Sequence, residues 1–167
     1  MTSKSGQHLD LATVKVLCLT GTTGHRHVNY SRELLSIGLR RLIGNRFVDV
    51  PKNNVLYKEC SNLDKYVGRG YTYGGCLEND IKIERDNIEK KIKKKEFNFI
   101  LYGKVGNKRG EIDSVEKLPY WNLIHKTYSL NEIVFLYGGD MLRTMDDQDL
   151  KYHTKYGLCF VRELSRN

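Results

Sequence analysis

Five short apolar runs constrain this chain more than any other feature: VKVLCLT (residues 14–20), FVDV (47–50), NFILYG (98–103), IVFLY (133–137) and GLCFV (157–161). Each is rich in β-branched, aromatic or leucine side chains, and most show no polar–apolar alternation. That is how a strand reads when both of its faces are buried. Between the first two runs, residues 30–43 carry Leu34, Leu35, Leu39, Leu42 and Ile43, which predict one apolar stripe on a helix. Asn29 or Ser31 can cap its start, and Gly44-Asn45 ends it. Asp86-Asn87-Ile88-Glu89 predicts a capping box ahead of a second helix, with Ile88 and Ile92 on one face. A third helix is expected over residues 119–128. Residues 52–79 are polar, aromatic and glycine-rich, and read as a long loop holding a short helix or an irregular strand.

Strands separated by helices imply right-handed crossovers and a parallel sheet. The expected fold class is therefore α/β: a single Rossmann-like or flavodoxin-like domain with a mostly parallel five-stranded sheet. At 167 residues the chain suits one domain, predicted over residues 13–167 behind a polar tail of residues 1–12. That tail lacks the apolar centre of a signal peptide, and no apolar run approaches the roughly 20 residues that span a bilayer. Cys18, Cys60, Cys76 and Cys159 are widely spaced with no C-x-x-C pair, which argues against zinc or a disulfide framework. A soluble protein of a reducing, cytoplasmic compartment is the expectation.

The net charge of +8 is concentrated. Between Lys82 and Arg109 there are ten Lys or Arg and four Asp or Glu, a net of +6. Lys90, Lys91, Lys93, Lys94 and Lys95 form its centre. They predict either a solvated helix face or a contact for an anionic partner such as nucleic acid or an acidic protein.

In an open parallel sheet, ligands sit beyond the carboxyl ends of the strands. Three segments qualify. The first, after the first strand, is Gly21-Thr22-Thr23-Gly24-His25-Arg26-His27. Its glycines let backbone approach a ligand, Arg26 suits an anion, and His25 or His27 suits a general base near neutral pH. It is neither the G-x-G-x-x-G dinucleotide fingerprint nor a P-loop. The plainer reading is a tight turn with solvated histidines. The second segment contains Gly103 and Lys104, with Lys108 and Arg109 beyond, and suits an anionic ligand. The third contains Gly138, Gly139 and Asp140. Farther on, Asp146, Asp147 and Asp149 have the oxygen chemistry of a Mg²⁺ or Mn²⁺ site, but helix starts collect aspartate for a different reason, the helix dipole. No metal ligand is assigned and no cofactor is identified. His125 and His153 have no evident partner in the sequence.

Three stretches together, EFNFILYG (96–103), IVFLYGGD (133–140) and YGLCFVREL (156–164), resemble the amino-terminal Rossmann-like domain of GT-B-type glycosyltransferases and related glycan-modifying proteins. The resemblance covers about the last 90 residues and includes Arg162 and Glu163, which read first as a structural charged pair. It implies binding of a nucleotide sugar or a glycan acceptor, with the glycine turn lining the acceptor cleft and His25 or His27 as base. In that family a second Rossmann-like domain holds most of the sugar nucleotide. Because the sequence stops soon after its fifth strand, independent GT-B catalysis is not expected, and the chain reads as a piece of a longer protein, a reduced standalone relative or a partner that lost catalysis. The alternative is a non-enzymatic binding or assembly module that works through the lysine face.

Overall fold

The computed structural model describes residues 10–20, 30–61, 63, 73–79, 83–103, 114–137 and 147–161. Nine helices and strands are described, in the order β1 (Val16–Leu19), α1 (Tyr30–Ile43), β2 (Phe47–Val50), α2 (Ile88–Lys93), β3 (Phe99–Tyr102), α3 (Trp121–Thr127), β4 (Ile133–Tyr137), α4 (Asp147–Thr154) and β5 (Leu158–Val161). The strands form one sheet in the order β2-β1-β3-β4-β5, and every neighbouring pair is parallel. This is the order of flavodoxin-like sheets. All five predicted strands are present, and the parallel α/β class expected from the sequence is what the chain forms. No described helix is long and apolar enough to cross a membrane.

The two faces of the sheet are filled differently. One holds Leu17, Leu19, Ile100, Tyr102, Ile133, Phe135 and Tyr137 under Ile88 and Ile92 of α2, Trp121 and Ile124 of α3, and Tyr152 of α4. The opposite face holds Val16, Cys18, Phe47 and Leu101 under Leu35, Leu39 and Ile43 of α1. Alternate residues of each strand point to opposite faces, so one apolar run supplies both layers.

Three local expectations need correction. The α1 helix has the predicted bounds and part of the predicted face: Leu35, Leu39 and Ile43 pack on the sheet, but Leu34 and Leu42 do not. Leu34 and Leu42 are exposed, at 48% and 59%, while Arg32, Glu33 and Ser36 are buried with Ile37 and Ile43. Polar partners on the sheet decide this orientation, as described below. The capping box at Asp86 does not form either. Asn87, in the left-handed region at φ 54°, precedes α2 and makes no side-chain cap bond. The third position from that cap is then Lys90, which has no acceptor to offer, and Glu89 pairs with Lys93 at 2.6 Å instead. A capping box does occur at Ser129, whose backbone N–H and hydroxyl both donate to Glu132, at 2.7 and 2.8 Å. Finally, α4 begins at Asp147 in a stretch with too few apolar residues to show a helical stripe.

Within residues 52–79, the described part is loop with a short helical turn and one isolated β-bridge. A 3-10 turn over Asn54–Leu56 leads into a parallel bridge between Tyr57 and Leu77. Tyr57 and Leu56 pack with Ile37 and Leu77 into a small cluster beside α1.

Candidate ligand site at the carboxyl edge of the sheet

The strand order fixes where a crevice must open. β1 leads to α1 on one face, and β3 leads to the helices on the other, so the connections diverge between these two neighbouring strands. Such a switch point is where open α/β sheets bind ligands. The three segments singled out in the sequence follow β1, β3 and β4, which lie side by side.

Gly103 is the one predicted site residue within the described part. Its N–H donates to Leu19 O at 2.9 Å, continuing the β1–β3 ladder by one step. A β-carbon built there would stand 2.9 Å from Arg32 Cγ, 3.1 Å from Arg32 Cδ and 3.3 Å from Cys18 Sγ. A side chain at this position would press on Arg32, whose stem crosses the end of β3. Gly21, Thr22, Thr23, Gly24, His25, Arg26, His27, Lys104, Gly138, Gly139 and Asp140 lie outside the described residues.

Arg32 was not anticipated as a site residue. It sits near the start of α1, only 5% exposed, with Nη2 3.3 Å from Glu33 Oε1. Ser36, one turn on, donates its hydroxyl to Arg32 O at 2.7 Å. Beneath them, burial pushes the Cys18 thiol up to about 12, with the Asp49 carboxylate adding to the effect and Arg32 and the Ser36 hydroxyl opposing it. Cys18 is therefore an inert neutral thiol that fills space rather than a nucleophile. A signal for this polar face was present in the sequence: Arg32, Ser36 and Arg40 recur every four residues, and Glu33 lies beside them.

A second polar knot ties α1 to β2. Asp49 Oδ1 accepts from Arg40 Nη2 at 3.1 Å and from Arg85 Nη2 at 2.5 Å, while Arg85 Nε reaches Asp49 O at 2.8 Å. The Tyr57 hydroxyl lies 3.3 Å from the same Oδ1 and accepts from Arg40 at 3.1 Å. Asn53 N–H donates to Asp49 Oδ2 at 3.1 Å. Buried charge is tolerated only when it is paired and hydrogen-bonded in this way. These contacts explain why α1 turns its polar side inward.

The two histidines without evident partners have aromatic ones. His125, on α3, stacks on Trp121 at 5.2 Å. His153, on α4, is fully buried among Phe135, Tyr137 and Tyr152, with ring centroids 5.3, 5.2 and 4.7 Å away. Among the described residues, no three His, Cys, Asp or Glu side chains gather as a metal site would require.

Three lysines of the lysine-rich segment are paired with carboxylates. Lys91 meets Glu84 at 3.2 Å, Lys93 meets Glu89 at 2.6 Å, and Lys95 meets Glu132 at 3.1 Å. Burial alone would push the Glu132 carboxyl up. The two Ser129 donors and the Lys95 ammonium outweigh that and leave it below its ordinary value.

Comparison with known proteins adds no relative: no protein family, curated protein or solved structure matches this chain.

Proposed function

We propose that this chain binds a sugar nucleotide or a glycan acceptor at the carboxyl edge of the sheet, between β1 and β3, as a glycosyltransferase-like domain. The observation that carries the reading is the switch point between β1 and β3, the place where open α/β sheets bind ligands and where the segment after β1, which carries Arg26, would meet a diphosphate. Planar, permanently charged and preorganised, arginine suits that ligand better than a surface lysine does. In a transfer reaction, His25 or His27 would accept the acceptor hydroxyl proton. The acceptor oxygen would bond to the anomeric carbon as the bond from that carbon to the diphosphate breaks, and the diphosphate would leave with the electron pair.

A thermal-shift series with nucleoside diphosphates, nucleotide sugars and short glycans tests this, because a ligand specific for the native state raises the melting temperature by mass action. We expect a saturable shift, with affinity falling about tenfold or more in Arg26→Lys through loss of bidentate contact, a change of about 1.4 kcal/mol. In His25→Ala or His27→Ala, the shift should remain while transfer is lost. Absence of a shift across all three compound classes would remove the proposal.

A further inference from the structure

Parallel strands are normally buried on both faces. In β4, Ile133, Phe135 and Tyr137 are buried on one face, while Val134 and Leu136 on the other are only partly covered. In β5, Cys159 packs toward the aromatic face, but Leu158 and Phe160 on the opposite face are 42% and 59% exposed. Among the described residues, α1 is the one helix on that opposite face, and it reaches only as far as β4. Among the described residues, what remains is a floor two strands wide, partly covered at β4 and open at β5. At the usual strand spacing that is about 10 Å, which matches the diameter of about 10 Å of one helix.

The wall of this groove is the flank of α1, where Leu35 and Leu39 pack toward Val134 and Leu136 and Leu42 is exposed. Gly38 lies between them, and a β-carbon there would meet nothing within 4 Å. A glycine inside a helix weakens it relative to alanine. Among the described residues no neighbour requires the empty space, whereas a second helix laid alongside would. The outer surface of α1 supplies such a helix. Leu34, Gly38 and Leu42, four residues apart, form an exposed apolar stripe on a helix of 14 residues. Among the described residues, a floor open at β5 and an uncovered helix stripe are thus present on the same molecule.

We propose that two copies of this chain associate about a twofold axis parallel to α1, each laying its Leu34–Gly38–Leu42 stripe over Val134, Leu136, Leu158 and Phe160 of the other. Rotation about that axis preserves helix direction. The two α1 helices then run side by side between the two sheets, each with its polar side on its own sheet and its apolar stripe on the other. The contact is isologous and closes on itself. Two helix-in-groove contacts, each about 21 Å long, bring the buried surface to the lower end of the range of about 1,200–2,000 Å² for specific interfaces. The charge of +8 on each copy opposes the association, so screening by salt strengthens it.

Sedimentation equilibrium of the full chain at micromolar concentration, in about 50 mM and about 500 mM NaCl, tests the proposal directly. The expected result is a mass of two chains, with an association constant several-fold higher in the high salt. Leu42→Glu and Phe160→Glu should each yield monomer while circular dichroism retains the spectrum of the parent. Leu34→Gln, a milder change at an exposed position, should weaken the dimer at least tenfold and serves as the check if either glutamate variant unfolds. A chain that stays monomeric in both salts overturns the proposal. So does a dimer indifferent to all three substitutions, or one that weakens as salt is raised.

Discussion

The two faces of the sheet are made from the same five strands, yet they hold together by different means. The face under α2, α3 and α4 is dry and aromatic: Phe135 stacks on Tyr102 at 5.6 Å and packs near Trp121 and His153. The face under α1 mixes apolar contacts with buried ions, as Arg32 and Glu33 sit over Cys18 and Gly103 while Arg40 reaches to Asp49. The first face depends mainly on packing, with the Tyr102 hydroxyl donating to Pro119 O at 3.0 Å. The second depends on polar groups meeting their partners, so it fixes the position of α1 and leaves charged groups near the switch point.

The largest test of this contrast is on the aromatic face. Phe135→Ala should cost about 3–5 kcal/mol in urea unfolding, whereas Phe160→Ala on the open face, measured below the dimerisation range, should cost less than about 0.5 kcal/mol. Equal losses would mean that the open face is covered in solution even at that dilution.

Asp49→Ala addresses the polar knot and should cost about 3 kcal/mol, because it leaves the guanidinium groups of Arg40 and Arg85 without their shared carboxylate. The loss should shrink when Arg85→Met is combined with it. If the two losses simply add, the coupling between these residues is absent.

The last effect is a pH dependence at Cys18, absent at neutral pH and confined to the alkaline range. Its thiol is raised from about 9 to about 12, so the unfolded chain loses this proton first as pH rises. Stability contributed by the neutral buried thiol is complete below about pH 9 and declines by up to about 1.4 kcal/mol per pH unit until about pH 12. Cys18→Ala should flatten the alkaline limb of a stability profile. An unchanged slope would assign alkaline unfolding to Tyr102 and Tyr128, which burial also raises.

Much of the fold was legible because strands such as residues 14–20 and 133–137 are continuous apolar runs, and few alternatives bury them. The bounds of α1 were legible from Gly44, which takes φ +61° where the helix ends. Its facing was legible only in part. Counting leucines points Leu34 and Leu42 inward, but Asp49, Tyr57 and the space at Gly103 recruit the polar side, and such tertiary partners are invisible to periodicity. The helix α4 escaped for a related reason, since its few apolar residues form no stripe. That glycine-bearing segments follow β1, β3 and β4 was legible, but the place of Arg32 across Gly103 was not, because Cys18 and Gly103 are remote from it in sequence.

The seam between β1 and β3 has a kinetic meaning as well. Lys15 N–H donates to Asn98 Oδ1 at 2.8 Å and Asn98 N–H returns to Lys15 O at 2.8 Å, joining residues 83 apart. By contrast, β3–β4 and β4–β5 close over much shorter stretches. The first strand to be made is therefore an interior strand that must wait for β3 before both of its edges are paired. Closing so long a loop is paid in chain entropy before any contact repays it, so this seam is where the search for the native topology should be slowest. A molecule gripping both strand ends would staple the longest-range join in the sheet.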